Sequence, residues 1–464
     1  MTIVRNPRKN KRSFPVITAL CRLLPALILA SACAPPGSDD NTPHIDSLAE
    51  LSTESLRQRD YGSTITVEQV FKREPFDSYL ASYESDGLRV YTRIDIPDSP
   101  QPDDGYPVVI FVHGWTGIER APTYDFYYRE HADYREMLET YVDAGFVVLV
   151  PGWRGHGTVN DVPADGIDFM AAWDNGSYIS PVFYAIDVLN LIDSLSTFDR
   201  RTLDVNRINL VAHSQGGDVA LIALAVAGEG SKVKNDINAA SIWSGTFPSR
   251  FTQLLTYWPM QTTTEAFFSG DGTWNSTAIG ADGRVNEHFV FGYPSDWIVT
   301  VDTADWSWQK ETWSIATVPE AVQAKLDQMY EAINEYVGDI NDAEYTLAIG
   351  DAQMFAVSHD SRVADAMSLI GGFEQEQYLT EPLALQHSDR DFYSFPTWNA
   401  DLCERVNEAG GTCHDFEYLE NTHSLRVSEN RWFSSETAVP GFSAAIRRDI
   451  ALFQGADPAD IAFP

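Results

Sequence analysis

The serine whose surroundings most clearly indicate chemistry is Ser214. It lies in the hexapeptide AHSQGG (212–217), between an apolar run that ends at residue 211 and another that begins at residue 219. Small residues two positions before and after a serine let a strand turn directly into a helix, and such a turn holds the serine side chain out above the sheet. An ordinary Gly-containing turn is the alternative. The flanking apolar runs favour the reactive turn, with Ser214 as a nucleophile.

Two backbone N–H groups are candidates for stabilising a developing oxyanion. Acyl transfer requires donors aimed at the oxygen that becomes negative. One candidate is the N–H of Gln215, which begins the helix after Ser214. The other is the N–H of Trp115 in VHGWTG (112–117), a segment that follows an earlier apolar run. A plain turn is the alternative interpretation of that segment.

A serine nucleophile also needs a base, and the base needs an acid that orients it. The segment PLALQHSDRDFYSF (382–395) offers Asp389 and Asp391 after an apolar run, and FEYLENTHSL (416–425) offers His423 after another. We predict His423 as the base. We favour Asp391 over Asp389 as the acid because of its place in the loop. A solvated loop position is the alternative for both predicted residues.

The segments around these residues alternate between strand and helix patterns. Continuous apolar runs are typical of strands buried on both faces, and a spacing of three to four residues is typical of a helix face. This alternation predicts an α/β fold with a doubly wound, mostly parallel sheet. The predicted strands are 88–96, 106–117, 146–151, 207–213, 238–245, 382–387 and 413–420, and the predicted helices are 134–145, 184–195, a segment after 217, 398–409 and 440–453.

On the motifs HGWTG, PGWRGHG, DVNRINLVAHSQGGD, PLALQHSDRD and NTHS, the chain resembles the α/β-hydrolase superfamily. The resemblance is to its dienelactone-hydrolase-like and prolyl-oligopeptidase-like catalytic domains, over about residues 80–245 and 380–455. It implies a triad of Ser214, Asp391 and His423. It also implies an oxyanion hole formed by Trp115 and Gln215, and no metal or organic cofactor.

The chain departs from the family pattern at two places and lacks room for one family feature. Ala212 replaces the first Gly of G-x-S-x-G, and HSDRD replaces the usual HGxxD. The peptidase relatives carry a β-propeller, which needs several blades of about 40–45 residues, whereas only about 80 residues separate Cys33 from His113. We therefore expect an esterase that works through an acyl-enzyme on a small-molecule or polymeric ester. A peptidase or amidase acting on small peptides and an inactive, surface-anchored binding protein are the alternatives.

The alternation of strands and helices stops between residues 246 and 378. This stretch contains six of the 12 Trp residues, and it is far too long for a loop. We expect a cap over 246–378, inserted between strands 6 and 7 in the superfamily's strand count. The hydrolase core then comprises 61–245 and 379–464. The aromatic residues of the cap would either cover the substrate pocket or form the seam with the core.

The N-terminus predicts export. Residues 1–12 carry five basic residues, and residues 14–32 are mainly apolar and end in the A-x-A sequence Ala30-Ser31-Ala32. Residues 1–32 are thus a predicted signal peptide and 33–60 a predicted polar tether. Because Cys33 follows directly, the segment resembles a bacterial lipoprotein box, with Cys33 as the site of lipid attachment. Simple secretion and an uncleaved membrane anchor are the alternatives to a periplasmic or outer-membrane-anchored lipoprotein.

Charge and cysteine content fit this interpretation. With 67 acidic and 32 basic residues, the chain has a formal net charge of -35, so it lacks the basic surface that nucleic acid requires. Cys403 and Cys413 lie ten positions apart, on a predicted helix and the following strand. In an oxidising compartment they predict a disulfide. Two free buried thiols are the alternative.

Overall fold

The structure is a computed structural model that describes most of the predicted core. Its described residues are 48–73, 76–117, 120–126, 128–129, 132–168, 170, 180–246, 375–388, 394, 396–418, 423–427, 437–438 and 440–462. The predicted signal peptide, Cys33, Asp389, Asp391 and nearly all of the expected cap lie outside these residues.

Among the described residues, nine strands form one sheet in the order β1-β2-β3-β5-β4-β6-β7-β8-β9. The first three strands form an antiparallel meander, and β3 pairs antiparallel with β5. From β5 to β9 all neighbours are parallel. The α/β fold with a mostly parallel, doubly wound sheet is therefore confirmed. The strands are β1 (Thr66–Arg73), β2 (Phe76–Ser85), β3 (Leu88–Ile96), β4 (Tyr106–Val112), β5 (Val147–Pro151), β6 (Leu203–His213), β7 (Ile237–Trp243), β8 (Leu383–Ser388) and β9 (Cys413–Tyr418).

Helices cover both faces of this sheet. Alternate residues of β4 point to opposite faces, so Ile110 packs in one apolar cluster with α3 and α4, and Phe111 packs in a second cluster with α2 and α6. This two-sided burial explains the continuous apolar runs of the central strands. The helices are α1 (Thr53–Arg57), α2 (Arg135–Asp143), α3 (Ser180–Ser194), α4 (Gln215–Val226), α5 (Pro396–Glu408) and α6 (Pro440–Phe453).

Shorter elements occupy the connections. Three ribbons pair strands of two residues each, and single 3-10 turns lie at the ends of several longer elements. The ribbons are Tyr128–Arg129 with Ala132–Asp133, Thr158–Val159 with Val162–Pro163, and Arg426–Val427 with Thr437–Ala438. The 3-10 turns are Leu48–Leu51, Ala121–Thr123, Leu195–Thr197, Glu376–Tyr378 and Pro458–Asp460.

The end of the expected polar tether packs against the core instead of remaining solvated. Helix α1 lies within residues 33–60, and Leu56 is buried on the face that also holds α4. The Arg57 guanidinium donates to the carbonyl oxygens of Ala225 (2.7 Å) and Ala227 (2.9 Å). These carbonyls belong to the C-terminal end of α4 and the residue after it, where intrahelical partners run out. The folded domain therefore begins earlier than residue 61.

A disulfide joins Cys403 in α5 to Cys413, the first residue of β9, across a Cα–Cα distance of 5.2 Å. Both cysteines are buried. The bond closes the connection between the helix and the strand, in the pairing that the sequence predicts. Among the described helices, none is long and apolar enough to cross a membrane.

Candidate active site

Ser214 is the single residue between the end of β6 and the start of α4. Its backbone has φ 57° and ψ -127°, a conformation that a residue with a Cβ adopts rarely and at a cost of about 1–3 kcal/mol. Backbone hydrogen bonds of Ser214 hold the turn in place. The Ser214 N–H donates to the Trp243 carbonyl at 3.0 Å, and the Ser214 carbonyl accepts from Gly217 (2.8 Å) and Thr246 (3.1 Å). The side chain is partly exposed, as a nucleophile requires.

The small residues of the motif are required by close packing after the serine. A Cβ at Gly216 would lie 2.5 Å from the carbonyl oxygen of His113 and nearer still to that of Val112. A Cβ at Gly217 would lie 2.6 Å from the Ile242 side chain. Ala212 precedes the turn and is fully buried, so the fold accommodates its methyl group in place of the family's glycine.

The loop after β4 reaches the same turn. A Cβ at Gly114 would lie 3.1 Å from the Cβ of Ser214, which places the segment HGWTG directly beside the predicted nucleophile. Trp115 follows this contact, and its side chain is 43% exposed. Strand order reverses at β4, which lies between β5 and β6. Ligands of open α/β sheets bind at the carboxyl ends of strands at such a reversal.

A buried stack of four rings packs against the start of this loop, at His113. The His113 ring lies between Trp153 (centroids 3.7 Å apart) and Tyr124 (4.4 Å), and Trp153 stacks in turn on Tyr184 (4.1 Å). All four rings are buried. Trp153, which precedes Arg154 in PGWRGHG, therefore packs under the loop, and the stack fixes where the loop leaves β4.

A buried ion pair lies beside the stack. Arg154 and Asp187 are both fully buried and lie 2.7 Å apart, and Arg154 also contacts Asp86 at 3.1 Å. Burial by itself would lower the pKa of the Arg154 guanidinium, but the two carboxylates outweigh it and raise this pKa. The pair ties the turn after β5 to helix α3, and Asp187 was not singled out by the sequence.

His423 lies beside the nucleophile turn. It is buried, and its carbonyl oxygen is 3.0 Å from Nε2 of His213, the residue directly before Ser214. The two imidazole rings are 4.9 Å apart. The structure thus brings the predicted base to the strand end that carries the predicted nucleophile. Nδ1 of His213 is 2.8 Å from the hydroxyl of Tyr134, and neither residue was assigned a role from the sequence.

The predicted acid loop is anchored on both sides, although Asp389 and Asp391 themselves lie outside the described residues. Before it, Nε2 of His387 is 2.7 Å from Asp415. Burial would lower the pKa of His387, but its hydrogen bond and charge interaction with Asp415 raise it. After the loop, the Ser394 hydroxyl donates to the Gly245 carbonyl at 2.5 Å. Both ends are therefore held near the C-terminal edge of the sheet.

A buried carboxylate supports the site from the opposite face. Asp449 in α6 accepts hydrogen bonds from Tyr141 (2.5 Å), Trp243 (2.9 Å) and Gln386. Burial raises its pKa to about 7, while hydrogen bonds from Ser241 and these three residues oppose the shift. Trp243, at the end of β7, accepts the hydrogen bond from the Ser214 N–H through its carbonyl. By holding the Trp243 side chain, Asp449 therefore stabilises the strand end to which the turn at Ser214 is bonded.

Together these residues place a partly exposed hydroxyl, a buried imidazole and the loop of Gly114 and Trp115 at the C-terminal ends of the parallel strands. This arrangement suits nucleophilic attack on a carbonyl carbon. In the part of the chain that the structure describes, no three His, Cys, Asp or Glu side chains are grouped so as to hold a metal ion. The roles of Ser214, His423, Trp115 and Gln215 remain predictions.

Comparison with known proteins agrees with the fold. Residues 107–279 match the family model of the α/β hydrolase fold, and no curated protein matches the chain in sequence. Acylaminoacyl peptidase of Pyrococcus horikoshii is 13% identical, with a TM-score of 0.41 over 76% of this chain and 39% of the peptidase. This chain thus spans about two fifths of the peptidase's length.

Two esterase structures match over more of their own length. Acetyl xylan esterase 1 from a Thermoanaerobacterium species is 13% identical (TM-score 0.42, 81% of this chain and 88% of that one). Acetyl xylan esterase from a Paenibacillus species is 14% identical (TM-score 0.44, 89% and 96%). By its sheet order, its strand-serine-helix turn and the family match over residues 107–279, this chain has the α/β-hydrolase fold.

Proposed function

We propose that this protein is a serine hydrolase that cleaves carboxylic esters through an acyl-enzyme. The observation that carries the proposal is the backbone of Ser214, which is held at φ 57° between a buried strand and a buried helix. Such strain persists only where the surroundings enforce it, and here it directs a hydroxyl to the edge where His423 and the loop of Trp115 also lie.

The proposed reaction has two halves. His423 takes the proton of the Ser214 hydroxyl as its oxygen attacks the acyl carbon, and Asp391 holds the imidazole in the useful tautomer. The N–H groups of Trp115 and Gln215 stabilise the oxyanion, and collapse of the intermediate breaks the ester bond as His423 protonates the leaving alcohol. Water, deprotonated by His423, then attacks the acyl-enzyme and releases the acid and Ser214.

The test is hydrolysis of p-nitrophenyl acetate and butyrate, with labelling by a fluorophosphonate probe, in wild type and Ser214→Ala. Ser196→Ala is the matched control. This exposed serine lies in the turn before β6, on the side of the N-terminal end of that strand, whereas Ser214 follows its C-terminal end. We expect hydrolysis and labelling in wild type and in the control and neither in Ser214→Ala. Equal activity or equal inertness of wild type and Ser214→Ala would contradict the proposal.

The same assay separates the alternatives. Faster turnover of aminoacyl anilides than of esters would assign the site to a peptidase or amidase instead. An unlabelled wild type that hydrolyses neither class of substrate would favour a binding protein. Both outcomes leave the α/β-hydrolase fold intact, because that fold rests on the sheet and not on the reaction.

We also propose that the protein is exported as a lipoprotein anchored through Cys33. The disulfide between Cys403 and Cys413 supports an oxidising compartment, and the basic and apolar segments before Cys33 support export. Intact-mass measurement of the mature chain, with Cys33→Ser as the control, tests the anchor. A wild-type mass without added lipid would leave simple secretion.

A further inference from the structure

We propose that His213 is a positioning residue. It links the loop of Gly114 and Trp115 and the loop of His423 to the turn at Ser214. A buried chain of polar contacts runs from the N–H of Gly114 to Tyr134, from Tyr134 to His213 and from His213 to the carbonyl of His423. We call these contacts the relay. The inference rests on the proposed function, because it assigns a role to residues that do not touch the ester.

Hydrogen-bond polarity is fixed along the relay. The His423 carbonyl oxygen can only accept, so Nε2 of His213, 3.0 Å away, carries the proton. In the neutral imidazole Nδ1 is then an acceptor, and the Tyr134 hydroxyl, 2.8 Å away, donates to it. The Tyr134 oxygen is thereby oriented to accept from the N–H of Gly114 at 3.4 Å, the longest step. One tautomer of His213 satisfies all three contacts.

The relay is shielded from water. Tyr134 and His213 are 7% and 5% exposed, and His423 is 1% exposed. The Tyr134 ring also packs on Phe111 of β4, with centroids 4.5 Å apart, which fixes where its hydroxyl lies. Buried hydrogen bonds of this kind are costly to leave unmade. The loop of Gly114, the loop of His423 and the turn at Ser214 therefore cannot move independently without breaking one of these hydrogen bonds.

Position matters because His213 directly precedes Ser214. The loop that carries the base is hydrogen-bonded to the neighbour of the nucleophile, and so its position is set relative to the atom that it must activate. Displacing a catalytic group by about 1 Å can reduce a rate about 100-fold. Losing the contact to the His423 carbonyl should therefore lower turnover more than it lowers substrate binding.

Two substitutions at one position separate the arms of the relay. In His213→Gln the side-chain amide reaches the place of Nε2 and can still donate to the His423 carbonyl. In His213→Asn the shorter amide lies near the place of Nδ1, so it can contact Tyr134 but not the carbonyl. Tyr134→Phe removes the middle hydroxyl alone.

The controls make the same chemical changes at the other end of the sheet. Tyr106→Phe removes a hydroxyl that donates to the Ser99 carbonyl at 2.6 Å, at the first residue of β4. His414→Gln replaces a partly exposed imidazole near the start of β9. Neither residue touches the relay, so both controls should retain wild-type turnover.

The measurements are kcat and KM for p-nitrophenyl acetate, the rate constant for fluorophosphonate labelling of Ser214, and the thermal midpoint. We expect His213→Asn to lower kcat and the labelling rate about 30- to 100-fold, with KM changed less than about 3-fold. We expect His213→Gln to recover to within about 5-fold of wild type, and Tyr134→Phe to lose about 10-fold.

Three results would overturn the proposal. The first is a wild-type labelling rate in His213→Asn. The second is an equal loss in the Gln and Asn variants that follows their thermal midpoints, which would make His213 a packing residue only. The third is a wild type that is neither labelled nor active, which removes the proposed function as well. Either of the first two results, in a wild type that is labelled and active, would refute the relay alone.

Discussion

Substituting Gly216 by Ala should damage this protein although the change normally favours a helix. In the first turn of α4, Ala would raise helix propensity by about 1 kcal/mol if space were available. Here the new Cβ would lie 2.5 Å from the carbonyl oxygen of His113 and closer to that of Val112. Ordinary contact begins near 3.4 Å, so α4 and the end of β4 must separate by about 1 Å.

The separation falls between the two proposed oxyanion donors, whose relative position matters for the reaction. Gln215 begins α4, and Trp115 follows β4 by three residues, so moving the elements apart moves their N–H groups apart. We expect Gly216→Ala to reduce kcat for p-nitrophenyl acetate about 100-fold and to lower the free energy of unfolding in urea by about 1–3 kcal/mol.

Gly455→Ala is the matched control. Gly455 has φ 76°, and beyond its two chain neighbours no described residue comes within 4 Å of the place that a Cβ would occupy there. Ala should therefore cost about 1–2 kcal/mol of backbone strain and leave kcat unchanged. The reasoning is refuted if Gly216→Ala is as stable as wild type and its kcat stays within about 3-fold of it.

Three further predictions concern stability. Because the pKa of Asp449 is raised to about 7 in the folded chain, the unfolded chain releases this proton first as pH rises. Stability should fall from about pH 4 to about pH 7, and urea denaturation at both values should show a smaller fall in Asp449→Asn. The raised pKa of His387 acts with the same sign at higher pH. The contribution of His387 to the free energy of unfolding is complete below about pH 6.5 and is lost as the pH rises through its pKa in the folded chain. Asp415→Asn should therefore reduce the change in the urea midpoint between pH 6 and pH 9. Substituting Cys403 and Cys413 together by Ser should lower the free energy of unfolding by at most about 3 kcal/mol; an unchanged midpoint would contradict a structural disulfide.

Sequence patterns predicted the central fold well because burial leaves a local signature. The apolar runs of β4 and β6 record contact with helices on both faces, and the predicted strand over 88–96 coincides with β3. The outermost strand of the sheet, β1, was not predicted. In β1, Val70 and Phe71 are 59% and 40% exposed, so apolar residues there do not mark a buried face, and no pattern distinguishes the strand from a loop.

The supporting residues of the site were missed for a different reason. Tyr134 meets His213 across 79 positions, and Tyr141 meets Asp449 across 308. A single sequence shows which residues could do chemistry, but not which distant side chains meet once the sheet is assembled. The turn from strand to helix at Ser214 was predictable because its sequence pattern lies within six consecutive residues, whereas the groups that hold it come from distant parts of the chain.

The contact between Arg57 and the end of α4 has a consequence for how the protein can be attached to other structures. Helix α4 begins beside Ser214, and its 12 residues span about 18 Å. The first described helix, α1, thus packs at the end of α4 that lies farthest from Ser214. A linker or fusion partner attached directly before residue 48 would therefore start at the end of α4 that is distant from Ser214. The proposed catalytic edge, at the other end of α4, is then kept away from the point of attachment.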